Sequence, residues 1–545
     1  MKCKLVCPKC GLLYVVRRLL LNFRTLVLLS IPLLLSAGAL EDGKRWWTHV
    51  QFLADDKLEG RNTGSEGHRK AAQYVAEQFE RAGLKPARKI YLQAVPFQVQ
   101  QIDESKCSVE VLRPNQAAET LKLGDDVHLS TRGDYEKSLE VEAVFVGHGL
   151  VIPELGINDL AGLDLKGKAV VTLAGGPSTI PGALKSHYSS AEERTKALTA
   201  AGVVGTISIQ NPKFMDVPWA RQSANRLQAT MRLADSGMNE GGGLKLGMSL
   251  NPAIVDRFLA GTGHTFQELL NLADNDKPLP KFPLPLKVRV RAAAKQWSVE
   301  SQNVAAVMEG SDPALKNEFV VLSAHIDHLG VSETGGADRI FNGAMDNASG
   351  IAWLLETARR VKESGMKPKR SLLFVAVTGE EKGLQGSKYF AAHPIVGGKL
   401  VADINMDMVL PLFPLKYLEV QGLGESTLGN DIREVCKKHG IEVQFDKEPN
   451  ANRFIRSDQY SFIKKGIPSL AFKFGWVKGS PEEKIFRDWY KERYHGVADD
   501  LSQPVNLEGA GTFTSVLFEL LKRVADNPER PHWNQDSFFK RFAVQ

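Results

Sequence analysis

His325, Asp346, Glu381, Asp407 and His495 follow one another through the second half of this 545-residue chain. Two imidazoles and three carboxylates form a donor set that suits a pair of Zn²⁺ ions. Asp327 and Glu380 stand beside them as carboxylates that need not be ligands. A two-metal hydrolase also needs a base and an orienting group, so the surplus fits that chemistry.

The local setting of each residue sharpens the reading. His325, in Ser323-Ala324-His325-Ile326-Asp327, directly follows a short apolar run over 319–324. Residues i and i+2 of an extended chain point the same way. Asp327 is therefore expected behind His325 or beside the metal pair. Asp346 lies in Gly343-Ala344-Met345-Asp346-Asn347-Ala348-Ser349-Gly350, ahead of a helix, and the small residues around it let the backbone approach other atoms closely. That favours a ligand over a simple helix cap. Glu380 and Glu381 follow the apolar run 371–377. Adjacent carboxylates there repel unless a cation or proton separates them; with one on a metal, the other is free to act as base. Asp407 interrupts an apolar segment, and buried acids are rare unless paired or coordinated. His495 is isolated, with Asp499 four residues on as an expected outer partner for its ring.

These side chains need a frame. From about 291 onward, strand-like runs at 319–324, 371–377 and 400–405 alternate with helical segments at 351–362 and 506–526. Apolar runs without polar alternation fit strands covered on both faces, hence a three-layer α/β/α sandwich with a mixed central sheet. Open α/β sheets carry their sites at the C-terminal ends of strands, where three of the motifs fall. Upstream, the apolar spacing over 66–82 predicts an amphipathic helix stopped by Gly83, after a polar loop around Glu59-Gly60-Arg61. Residues 90–118 read as strands. Residues 119–290 change texture to short apolar runs between Gly-rich turns, with one helix over 190–201 opening on a capping box at Ser190 and Glu193. This predicts an inserted β-rich module. Pro278, Pro280, Pro283 and Pro285 read as its extended exit. The expected organisation is thus 1–39 as a signal peptide, 40–118 and 291–525 as two segments of the catalytic domain, 119–290 as the insertion, and 526–545 as a tail.

The formal charge of +6 resides in Lys2, Lys4, Lys9, Arg17, Arg18 and Arg24, so the rest of the chain is close to neutral. That argues against a nucleic-acid partner. The basic stretch, the apolar run 26–35 and Ala37-Gly38-Ala39 have the order of a secretory signal. Export to the periplasm or extracellular space is expected, with membrane attachment only if the segment stays uncleaved. Cys3, Cys7 and Cys10 precede the signal core and would be lost with it. Cys107 and Cys436 remain, expected as two free thiols.

His325-x-Asp327, Asp346, Glu380-Glu381, Asp407 and His495 together resemble the zinc aminopeptidase family with two co-catalytic metals, metallopeptidase family 28. The inserted segment resembles a protease-associated domain through Phe145-Val146-Gly147-His148-Gly149 and Leu163-Asp164-Leu165-Lys166-Gly167-Lys168. The resemblance implies two zinc ions, with cobalt or manganese as substitutes. His325 and Asp407 would hold one ion, Glu381 and His495 the other, and Asp346 would bridge them. Glu380 would be the general base toward a metal-bridging water, and Asp327 would tune the site. It also implies a cis peptide bond at Asp346-Asn347. The expected activity is removal of N-terminal residues from peptides. A carboxypeptidase or dipeptidase would share every ligand, and a non-catalytic binding protein would be expected to have lost some. Where members of the family often have Ser-Asp-His, this chain has Ser457-Asp458-Gln459, which leaves the substrate pocket near Tyr460 open.

Overall fold

A computed structural model of the chain describes residues 38–130, 135–239, 242–334, 336–451 and 453–544. Nearly all of the expected signal peptide, with Cys3, Cys7 and Cys10, lies outside them. The frame is a ten-stranded mixed sheet. Its centre is four parallel strands in the spatial order Ser371–Val377, Glu318–His325, Lys399–Asn405, Ser469–Phe474. Antiparallel strands flank them: Ala294–Met308 and then Leu92–Ile102 on one side, Tyr417–Gln421 on the other.

The burial pattern shows why these strands carry no polar alternation. Val320, Leu322 and Ala324 enter one apolar cluster with Leu372, Phe374 and Ala376, whereas Val321, Leu373, Val375 and Val377 enter another. Both faces are covered, so alternate side chains serve opposite cores. The first core is closed by helices Glu66–Arg81, Ser349–Glu363 and Leu507–Asp526, and the second by Gln385–Ala392 and Gln459–Ile463. This is the expected sandwich. Residues 38–53 are also helical. They pack so tightly on Leu507–Asp526 that a Cβ at Gly43 or Gly511 would collide with backbone of the other helix.

A second sheet of eight strands forms from residues between 108 and 291, in the order Glu119–Leu121, Ser108–Leu112, Phe282–Arg291, Ser138–Phe145, Ala169–Leu173, Gly205–Ile209, Leu246–Leu250, Val127–Leu129. Ser108–Leu112 belongs to it, ahead of the boundary expected at 118. Pro278 and Pro280 lie in irregular chain, but Pro283 and Pro285 lie within the strand Phe282–Arg291 rather than in a connector. Its prolines are tolerated because pairing to Ser108–Leu112 begins only at Lys287, and the register to Ser138–Phe145 shifts between Pro283 and Lys287. One piece of the segment leaves it altogether: Thr230–Leu233 pairs antiparallel with Leu92–Ile102 and forms the end of the ten-stranded sheet. Four residues of mixed polarity gave no strand signal in the sequence. Cys107 and Cys436 are free thiols.

Candidate metal centre

The parallel strands deliver the chemistry at their C-terminal ends. His325 is the last residue of its strand, Glu380 and Glu381 follow Val377, and Asp407 follows Asn405. Asp346 comes from the turn just before helix Ser349–Glu363, where the Asp346–Asn347 peptide is cis, as the resemblance implied. His495 arrives three residues after helix Pro481–Glu492 in a left-handed conformation, φ 53°.

These residues converge. His325 Nε2 lies 3.3 Å from Asp346 Oδ1 and 3.5 Å from Asp407 Oδ1. His495 Nε2 lies 3.3 Å from Asp346 Oδ2 and 3.3 Å from Glu381 Oε2. Asp346 thus turns one oxygen toward each histidine. Tetrahedral coordination at zinc–donor distances of about 2.0–2.1 Å separates neighbouring donors by about 3.3–3.4 Å, so these spacings are those of coordination polyhedron edges. Asp346 Oδ2 and Asp407 Oδ1 are buried without a hydrogen-bond partner, and such orphaned carboxylate oxygens call for a cation. The residues fit a pair of metal ions.

The electrostatics agree. Burial works to raise the Asp346 carboxyl, but the facing imidazoles of His325 and His495 outweigh it and hold it well below the usual carboxylate range. Burial likewise opposes charge on His325, yet Glu380, Asp346 and Asp407 raise it well above an ordinary histidine. Glu380 goes the other way. Burial pushes its carboxyl well above the usual range, against the pull of His325 and with Glu381, Asp407 and Asp458 adding to the rise. Burial raises the Asp327 carboxyl too, so the site sets carboxyls suited to carrying a proton beside others suited to holding charge.

Around this group stand supports, of which His328 and Arg61 carried no motif signal. His328 Nδ1 bonds Glu381 Oε1 at 2.7 Å, and with Asp346 and Glu381 it forms a second possible three-donor cluster, as Glu380 does with His325 and Asp407. Asp327 accepts from Thr63 Oγ1 at 2.8 Å and from the Glu380 backbone N–H at 3.1 Å. It meets His325 through its backbone, since the Asp327 carbonyl lies 3.1 Å from His325 Nδ1 and its carboxylate 3.9 Å. Asp499 does not take the expected place behind the His495 ring. Its carboxylate accepts from the Met345 and Asp346 backbone N–H groups at 2.9 and 3.0 Å, holding the turn that carries Asp346. Arg61, expected in a polar loop, is buried, donating to the carbonyls of Ile326 (3.0 Å), Asn342 (2.6 Å), Gly343 (3.1 Å) and Leu53. It ties the end of the His325 strand to the Asp346 turn. Nothing local in the sequence marks such partners; Arg61 and Gly343 are 282 residues apart.

The site opens on a cleft of about 790 Å³ whose walls include Asp346, Glu380, Glu381, Asp407 and His495. The inserted segment forms the facing wall and grips the catalytic side. Asp216 pairs with Arg456 (2.9 Å) and Arg453 (3.4 Å), Glu192 with Lys464 (3.2 Å), and His187 Nδ1 lies 2.9 Å from the Tyr460 hydroxyl. Arg221 donates to the Tyr494 and Lys491 carbonyls at 2.6 and 2.7 Å, so the insertion also holds the loop bearing His495. Gln459 lines the same cleft, its amide held at both ends: its Oε1 accepts from Asn405 at 2.7 Å and its Nε2 donates to the Phe454 carbonyl at 2.8 Å.

Over part of its length the chain is similar to known proteins. Residues 303–521 match the family model described as Peptidase family M28. A probable leucine aminopeptidase 2 of Aspergillus oryzae is 27% identical over 230 residues, 38% of this chain and 42% of that protein. Carboxypeptidase Q of Xenopus laevis is 33% identical over 211 residues, 37% of this chain and 39% of that protein. The chain thus spans about two fifths of the length of these curated relatives. An aminopeptidase structure from Aneurinibacillus sp. strain AM-1 has the same fold, with TM-score 0.53 at 20% identity, covering 91% of this chain and 97% of that one.

Proposed function

We propose that this chain, whose residues 303–521 match the model of peptidase family M28, is an exported zinc aminopeptidase that hydrolyses the peptide bond after a free N-terminal residue. The observation that carries this reading is Asp346, with one oxygen 3.3 Å from each of two histidines that lie on either side of it. His325, Asp407 and Asp346 would hold one zinc, and His495, Glu381 and Asp346 the other. When bound, the ions supply Lewis acidity at the scissile carbonyl and make water more acidic.

The chain's own residues do the rest. Glu380, its carboxyl raised by burial, takes a proton from the attacking water and passes it to the departing amine nitrogen. Asp327 fixes Glu380 through the backbone N–H and the ring of His325 through its carbonyl. His328 orients Glu381. The facing wall leaves a cleft of about 790 Å³, room for a peptide. Export rests on the basic and apolar order of residues 1–39.

A second reading has its own support. Arg453 and Arg456 line the same cleft, and guanidinium groups suit a terminal carboxylate. They would serve a carboxypeptidase or dipeptidase. Cleavage of peptide amides, N-acetylated peptides and free dipeptides separates the cases. Loss of turnover on acetylation supports the aminopeptidase; turnover that persists on acetylation but requires a free C-terminal carboxylate would overturn it.

A further inference from the structure

One wall of the cleft is a sheet edge. Among the described residues, Thr230–Leu233 ends the ten-stranded sheet and pairs as a strand on one side only, with residues 97–100. Met231, Arg232, Leu233 and Ala234 all line the cleft. Successive side chains of a strand point to opposite faces, so a cavity that touches four residues in a row runs along the backbone edge itself.

The register says which backbone groups face that cavity. The Ala234 N–H donates to the Pro96 carbonyl at 2.9 Å. Antiparallel partners alternate between hydrogen-bonded and non-bonded pairs, so Arg232 and Thr230 share the inward direction of Ala234. The N–H and C=O groups of Met231 and Leu233 therefore point outward. Asn239 Nδ2 meets the Leu233 carbonyl at 3.0 Å, from that outer side. Among the described residues, no side chain or loop meets the Met231 N–H and C=O or the Leu233 N–H. An unpaired edge is a template for an extended chain. The same cleft holds Asp346, Glu380 and Asp407, which makes the peptide substrate its natural occupant.

We propose that Thr230–Leu233 is a peptide-binding edge, on which the substrate beyond its scissile bond pairs as an additional strand. This rests on the peptidase reading. One substrate residue exchanges both its N–H and C=O with Met231, and a carbonyl two residues away accepts from the Leu233 N–H. Recognition through main-chain groups tolerates varied side chains, so the substrate class is extended peptides of about four residues or more, selected by length rather than sequence. It also gives the insertion a catalytic purpose: it supplies a strand to the sheet of the other segment.

The test uses substrate backbones, so the fold is left untouched. Zinc-loaded full-length Glu380→Gln protein is titrated by calorimetry with an N-terminally free hexapeptide and with the same peptide carrying a single backbone N-methyl group at each position in turn. One position from the third residue onward should weaken binding about tenfold while its neighbours on either side cost little, the period of a strand. A dipeptide amide should bind about tenfold more weakly than the hexapeptide. Equal affinity for every N-methyl peptide, or for the dipeptide amide and the hexapeptide, overturns the proposal. Wild-type turnover of an aminoacyl amide, which has no residue beyond its scissile bond, reports separately on the peptidase reading.

Discussion

Arg61→Met tests how the site is held together. The guanidinium donates to four carbonyls, of Leu53, Ile326, Asn342 and Gly343. Hydrogen bonds from a charged donor contribute about 1.5–3 kcal/mol each. Against this stands the cost of burying the cation: burial lowers its pKa to about 10 from 12.5, although Asp499, Asp327, Asp346 and Glu381 pull it back up. That depression corresponds to roughly 3 kcal/mol. The four bonds outweigh it, and removing the donor strands buried carbonyls, so the net loss should be about 3–5 kcal/mol. Arg61→Lys keeps the charge but not the planar fork, and should lose about half as much. Because Arg61 joins the His325 strand end to the Asp346 turn, kcat should fall as well; a displacement of 1 Å in a catalytic constellation costs about 100-fold. The assays are urea unfolding followed by tryptophan fluorescence, which reports on the buried Trp46–Trp353 pair with ring centroids 4.8 Å apart, and peptide hydrolysis at saturating zinc. An unchanged unfolding midpoint with kcat within twofold of wild type would refute the reasoning.

Three further outcomes follow from named contacts. His68 is buried beside Arg61, and burial first, then that cation, lower its pKa to about 3. The unfolded chain gains a proton near pH 6.5 while the folded one does not, so this contribution is lost as pH falls. The stability advantage of wild type over His68→Gln should shrink by about 2 kcal/mol between pH 7 and 5, measured by urea midpoints; an unchanged difference would contradict it. Asp403 has the opposite sign, because burial raises its carboxyl to about 8: folding holds a proton that the unfolded chain releases above about pH 4. Asp403→Asn should therefore be more stable than wild type at pH 7 and similar at pH 4, and equal loss at both would count against it. Arg221→Ala should weaken one of two zinc affinities by about 10-fold or more by loosening the His495 loop, and unchanged affinity for both ions would show that the insertion leaves His495 alone.

His325, Asp327, Asp346, Glu380, Glu381 and Asp407 were legible in the sequence because each sits in a short segment whose local order already signals a strand end or a turn before a helix; His495, isolated in the sequence, carried no such signal. The sandwich was legible for the same reason: runs such as 319–324 and 371–377 lack the polar alternation of half-exposed strands. What escaped is held by distant partners. Arg61 looked like a loop residue because its four carbonyls lie 8 to 282 residues away. Asp499 is four residues from His495, yet its partners are backbone N–H groups about 150 residues upstream, and proximity in sequence misled. Thr230–Leu233 gave no periodic signal because four residues are too few to show one. The prolines at 283 and 285 suggested a connector because sequence does not show that one flank of that strand is unpaired there.

The central claim is that Asp346 sits between two metal half-sites served by Glu380. Calorimetric zinc titration of the metal-stripped wild type and Glu380→Gln, beside their peptide hydrolysis rates, tests it most directly. The account predicts two zinc ions per chain in both proteins, with kcat in Glu380→Gln lower by at least about 100-fold. A single zinc per chain in the wild type, or near wild-type turnover in Glu380→Gln, would contradict it.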